Sequence, residues 1–167
     1  IRLVEGGHYL FDLGLPDGEM KDLTLGIPGW VNIENAVAAV SLAWCAARSE
    51  GAAFDEERLK EALAHFQGVK RRFEFYVNTP KQVYMDDYAH HPTEIKATLS
   101  AAKELNYNDV IAVFQPFTFS RTALLKDEFI EALSVADKVI LTPIMGSREV
   151  NTYGISSEQI AEKLPDA

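Results

Sequence analysis

Apolar and polar residues alternate over residues 8–13, HYLFDL, with the period of a half-buried strand, before the turn-rich LPDGEMKD and then LTLGIPGW. From residue 33 to 48 the pattern turns helical, rich in alanine and apolar almost all round. This helix is expected to be well buried, with Asn32 as its cap and Gly51 as its stop. Residues 55–66 predict a second, amphipathic helix, with Leu59, Leu63 and Phe66 on one face and Glu56, Glu57 and Lys60 outside. GVKRR then breaks the helical pattern.

Beyond that break the grammar changes. RFEFYV and QVYMDD predict strands joined by the short turn TPK. Pro92 stands where a first helical residue would and Glu94 at the third, which predicts a helix over 92–105. DVIAVFQ reads as a buried strand, SRTALLKDEFIEALS as a helix and KVILT as another buried strand. SSEQIAEKL opens with a capping-box spacing, Ser156 to Gln159. Strand and helix in alternation predict an α/β fold, a Rossmann-like, mostly parallel sheet with crossover helices. The helical end of another domain precedes it, and the expected boundary divides residues 1–70 from 71–167.

Composition narrows the picture. A chain of 167 residues, 47% hydrophobic, suffices for one medium domain or two small pieces of domains. The lone cysteine, Cys45, excludes an internal disulfide framework; between Trp44 and Ala46 it reads as a core residue of a protein from a reducing, cytoplasmic compartment. A net charge of −9, with no basic stripe, argues against nucleic acid as a partner. The longest apolar stretch, residues 36–47, is too short to span a bilayer and is interrupted by Ser41, so no membrane partner is expected. The chain opens without an initiator methionine on what reads as the middle of a sheet, so a piece of a longer protein is expected.

In open parallel sheets, ligands bind beyond the carboxyl ends of the strands. Three such ends are readable: one with Asp86, Asp87, Tyr88, His90 and His91, one with Gln115, Ser120 and Arg121, and one leading to Thr142, Arg148 and Glu149. The stretch DDYAHHPTEI admits three readings. As a metal site it has the ligand types, but adjacent His90 and His91 point apart and no third distant ligand is evident. As a structural turn, Asp86 and Asp87 end the strand, His91 caps the helix and Glu94 favours its N-terminus, which leaves Tyr88 and His90 unemployed. As a binding loop it meets an anionic substrate at a helix N-terminus, with imidazole donors nearby and a carboxylate for a sugar hydroxyl; this accounts for most of the residues.

Lys70, Arg71 and Arg72 form a basic run that is either a phosphate grip or a solvated linker. Arg121 stands near a helix start, against the macrodipole preference, which hints at carboxylate binding. Asn32 and Asn35 share one face at a helix start, as caps or as amides for an adenine edge.

DDYAHHPTEI, with GVKRRFE before it and FQPFTFSRT after it, resembles the Mur ligases, the ATP-dependent amide-forming enzymes of peptidoglycan assembly. PGWVNIENAVAAV is similar to the end of their central ATPase domain, and residues from about 72 onward to their C-terminal domain, cut short here. Within the family the motifs look most like the branch that joins L-alanine to UDP-N-acetylmuramate. The resemblance implies phosphorylation of the muramyl carboxylate by ATP, then attack by the alanine amine on the acyl phosphate. It implies that Asn32 and Asn35 meet adenine, Arg72 ATP, and Asp87 its ribose. It places Tyr88, His90 and His91 where acyl phosphate and amino acid meet, and Arg121 on the alanine carboxylate. Two rivals are kept open: a murein-peptide ligase of cell-wall recycling and a non-catalytic nucleotide-binding module.

Departures from the family pattern are local. Trp30 and Val31 stand where the family commonly has x-His, Phe117 replaces a histidine, Thr118 occupies a position that often carries arginine, and Phe119 one where tyrosine is frequent. No GxxGKS/T phosphate loop occurs in the sequence. The resemblance puts the Mg2+ ligands in the same upstream half as that loop, so these residues alone are expected to have no ligase activity.

Overall fold

The computed structural model describes residues 1–164. In it the chain divides into two compact units, Ile1–Lys70 with Glu104–Asn106, and Arg71–Lys103 with the residues from Tyr107 onward.

In the first unit, β1 (Arg2–Leu3), β2 (Tyr9–Leu15) and β3 (Gly18–Thr24) form an antiparallel sheet in that order. The segment read as turn-rich is therefore mostly strand. The polar run hid it because the alternation slips: Met20 and Leu23, both buried, are not spaced by two. The ladder shifts register between Phe11 and Leu13, where Asp22 takes a positive φ of 56° and its N–H donates to Asp12 Oδ1 at 2.9 Å.

Helix α1 (Trp30–Glu50) packs Ile33, Ala36 and Val40 on this sheet beside Phe11, Leu13 and Leu25. Three expectations are corrected here. Asn32 is not the cap; Gly29 is, without a side-chain bond, and Asn32 lies inside the first turn with its Nδ2 donating to the Pro28 carbonyl at 2.6 Å. The helix buries one face rather than its whole circumference, leaving Leu42 72% exposed. Cys45 is exposed, not in the core. Gly51 does end the helix, at φ 64°, which a residue with a Cβ reaches only with strain. Helix α2 (Glu56–Ala64) is capped by Asp55, whose carboxylate accepts from the Arg58 N–H at 3.0 Å.

The second unit opens with a hairpin, β4 (Glu74–Asn78) and β5 (Val83–Asp86), followed by α3 (Pro92–Glu104). Then come β6 (Ile111–Phe114), α4 (Phe119–Leu124), α5 (Lys126–Leu133), β7 (Lys138–Leu141) and α6 (Glu158–Ala161). Strands β6 and β7 pair in parallel from Ile111↔Lys138 to Phe114↔Leu141, and an isolated parallel bridge joins Phe117 to Met145 further on. The class is α/β as expected, with the parallel ladder formed by β6 and β7 and with β5 paired to β4. Ile95 and Leu99 of α3, Phe129 and Leu133 of α5, Val139 of β7 and Ile160 of α6 close the core.

The helix expected over 120–134 is two, kinked at Leu125 (φ −107°, ψ 23°). The bonds Leu125 N–H to Arg121 O (3.0 Å) and Phe129 N–H to Leu125 O (2.9 Å) still bridge the kink, so periodicity alone does not reveal it. The Ser156–Gln159 capping box does not form. Ser157 precedes α6 and its hydroxyl donates to the Thr142 carbonyl at 2.7 Å, while Gln159 Nε2 donates to Gly154 O at 3.0 Å. Among the described residues, no helix is long and apolar enough to cross a membrane.

Candidate active site

The turn after β5 is built by reciprocal capping. His91 directly precedes Pro92, and its carbonyl accepts the first helical bond, from the Ile95 N–H at 3.0 Å. Its Nδ1 accepts from the Thr93 N–H at 3.3 Å, an imidazole standing where serine or threonine usually caps. Glu94 reaches back, its Oε2 accepting from the His90 N–H at 3.0 Å and the His91 N–H at 3.3 Å. Partial burial pushes the Glu94 carboxyl up. The two amide bonds, the His90 ring and the Arg72 charge outweigh that and hold it below the usual carboxylate range.

Asp87 is the second organiser. Its Oδ2 accepts from the Phe73 N–H at 2.8 Å and its Oδ1 from the Ala89 N–H at 2.7 Å, and each oxygen retains a lone pair for another donor. Between these anchors sits Tyr88, 51% exposed. The Arg71 guanidinium lies 4.7 Å from its ring centroid and that of Arg72 5.8 Å, while the His90 ring meets it edge-on at 5.6 Å. Arg71 also pairs with Asp86 at 3.6 Å and Arg72 with Glu94 at 4.0 Å, both loosely and in reach of water. Arg71 (φ 58°) and Phe73 (φ 51°) both hold left-handed backbone. Bonds from Arg71 N–H to Glu74 Oε2 (2.7 Å) and from Phe73 N–H to Asp87 keep them there, at a cost on the order of 1–3 kcal/mol each. Arg72 is thereby presented from a rigid bend rather than from a loose linker.

A second cluster lies beyond the carboxyl ends of β6 and β7. Thr118, at φ 65°, donates its N–H to Met145 O at 3.0 Å, and the Met145 N–H returns to Pro116 O at 2.9 Å. Gly146 packs against Phe119 so closely that a Cβ there would stand 2.4 Å from the ring. Glu149 then reaches α4: its Oε2 accepts from the Ser120 N–H at 2.8 Å and its Oε1 from the Ser120 hydroxyl at 2.6 Å. The Ser120 hydroxyl, then the Ser120 amide, with smaller help from the Phe119 amide and Arg121, hold the Glu149 carboxyl below its usual range. Thr118, Ser120, Arg121, Leu124, Glu149 and Tyr153 line an open cleft of about 740 Å³. Arg121 Nη1 is buried and, among the described residues, has no hydrogen-bond partner.

Of the residues singled out from sequence, Arg72, Asp87, Tyr88, His90 and His91 come together around one turn. Arg121 lines the cleft beyond β6, and Asn32 and Asn35 lie on α1 of the other unit. The sequence places Arg71 in a basic run and Glu149 beyond a strand end, but not the stacking of Arg71 on Tyr88, which needs the left-handed bend, nor the bonding of Glu149 to Ser120, 29 positions away. Neither leaves a local signal. Among the described residues, no group of three or more His, Cys, Asp or Glu side chains is arranged to hold a metal ion.

A parallel ladder carrying crossover helices, with polar side chains gathered beyond its carboxyl ends, places the second unit in the α/β class. Residues 71–167 match the Mur ligase, glutamate ligase domain, and the chain belongs to the Mur ligase family. It is 44% identical over 162 residues to a UDP-N-acetylmuramate–L-alanine ligase of Flavobacterium psychrophilum, covering 96% of this chain and 35% of that protein. It is 46% identical over 161 residues to the enzyme of the same name from Lachnospira eligens, covering 96% and 34%. The solved UDP-N-acetylmuramate-alanine ligase of Thermotoga maritima superposes with a TM-score of 0.63 at 34% identity, covering 86% of this chain and 29% of that one. The chain thus spans about a third of the length of the curated relatives it matches.

Proposed function

We propose that the full-length protein joins L-alanine to UDP-N-acetylmuramate at the expense of ATP, through an acyl phosphate, in the cytoplasmic phase of peptidoglycan synthesis. The muramyl carboxylate oxygen takes the γ-phosphoryl group and ADP leaves. The alanine amine then attacks the acyl carbon, phosphate departs, and one proton is lost from nitrogen. Such transfers rest on positioning and charge stabilisation. The chain supplies both in two units, residues 1–70 as the end of a central ATP-binding domain and residues 71–167 as an amino-acid-binding ligase domain.

Arg72, fixed by the bend, meets the ATP phosphates, and Asp87, with its spare lone pairs, the ribose. Asn32 and Asn35 meet the adenine edge. Tyr88, His90 and His91 line the place where acyl phosphate and amine come together. His91, whose Nδ1 accepts from the Thr93 amide, leaves Nε2 as the nitrogen that donates to a phosphoryl oxygen. Mg2+, when bound, supplies charge neutralisation at the phosphates, with ligands from upstream of these residues.

The observation that carries the reading is Arg121: a guanidinium with a buried, unpartnered nitrogen, lining the cleft beyond β6, suits the carboxylate of an amino acid. Replacing it by alanine in the full-length protein is expected to lower kcat/KM for the amino acid about 100-fold, the scale of a lost charged hydrogen-bond pair. KM for ATP should stay unchanged. Arg121→Lys should recover little, since a point charge does not reproduce the two-nitrogen grip. An unchanged kcat/KM for the amino acid in Arg121→Ala would remove this reading of the cleft.

A further inference from the structure

We infer that Glu149 is the positioning residue of the amino-acid cleft: by binding Ser120 it sets where the neighbouring Arg121 presents its guanidinium. The inference rests on the reading of Arg121 as the carboxylate-binding group. Both Glu149 oxygens are committed to Ser120, at 2.8 Å to its amide and 2.6 Å to its hydroxyl. These bonds tie the segment after β7 to the start of α4, which the backbone joins at only a few other points, among them Thr118 with Met145 at 3.0 Å.

The same commitment decides a competition. Glu149 and Arg121 lie in one cleft, and the guanidinium contributes to keeping the carboxylate charged. Yet among the described residues Arg121 closes no ion pair, and its Nη1 is left without a partner. A glutamate with no other partner beside an arginine would swing onto it and compete with an incoming carboxylate. Held by a serine amide and hydroxyl, Glu149 does not. Arg121 is left available, and the negative charge beside it favours an amino acid whose side chain carries no second carboxylate. Glu149 touches no substrate in this account; it acts through Ser120 and through its field.

The test compares wild type, Glu149→Ala, Glu149→Gln and Ser120→Ala in the full-length protein, measuring ADP formation with L-alanine and with L-aspartate. Because Glu149 is exposed, the expected effects are moderate. KM for L-alanine should rise about three- to tenfold in both Glu149 variants, with KM for ATP and for the UDP-sugar unchanged and kcat within about twofold. The preference for L-alanine over L-aspartate should narrow in both Glu149 variants but hold in Ser120→Ala, which keeps the carboxylate charge. An unchanged KM for L-alanine in the Glu149 variants, or a uniform fall in every constant, overturns the inference. A wild-type protein that turns over with L-alanine while the variants match it overturns the role of Glu149 alone. A wild type that forms ADP with no amino acid overturns the cleft reading as well.

Discussion

Glu94 shows how one side chain serves both local structure and the candidate site. Its carboxylate caps the His90 and His91 amides while facing Arg72, so the turn that carries the imidazoles depends on it. Because the folded protein depresses its pKa, the stabilisation is fully present above the ordinary glutamate value of about 4.3 and is lost as pH falls through the native value. Glu94→Ala should therefore cost about 1 kcal/mol at pH 7, the scale of a helix cap, and the difference from wild type should shrink in urea titrations carried down below pH 4. An equal difference at pH 7 and pH 3 would show that the carboxylate is not the stabilising group. At this scale much was legible: Pro92 and Glu94 mark the helix start in sequence, and His91 is readable as a cap. That His91 caps the Thr93 amide while Glu94 reaches back to the His90 and His91 amides, that Asp87 bonds two backbone amides, and that Arg71 stacks on Tyr88 all depend on backbone angles no residue pattern encodes.

Elements were legible where one periodicity ran unbroken and were misread where it slipped. The presence of β6 and β7 and the spacing of α3 follow from residue types, but both strands read as buried, whereas Ile111, Val113 and Ile140 are exposed. Strand β3 was hidden because a bulge moved its inward positions off the two-residue repeat, and the break between α4 and α5 because hydrogen bonds continue through it. Helix α1 looked buried all round because alanine is compatible with either environment, and only three of its residues are buried. In the second unit, the kinked α4–α5 pair is held by Phe129, 1% exposed and 5.6 Å from the Phe114 ring. Phe129→Ala should destabilise the domain by about 3–5 kcal/mol, with a lowered denaturation midpoint. A loss below about 1 kcal/mol would mean that the core around α5 repacks without it.

For the whole molecule, the family motifs carried further than any single element, because DDYAHHPTEI and FQPFTFSRT join side chains to loops at strand ends. What they leave to experiment is the acceptor. The cleft beside Arg121 is open and lined in part by exposed Leu124 and Tyr153, and Phe117 stands where the family commonly has histidine. These features bear on whether one small amino acid or a peptide is joined. The measurement that addresses this most directly is phosphate release from ATP by the full-length protein with UDP-N-acetylmuramate, comparing L-alanine with the stem tripeptide, and residues 1–167 alone as the control. Turnover with L-alanine, little with the tripeptide and background from the control is the predicted result; preference for the tripeptide, or no turnover with either, would contradict it.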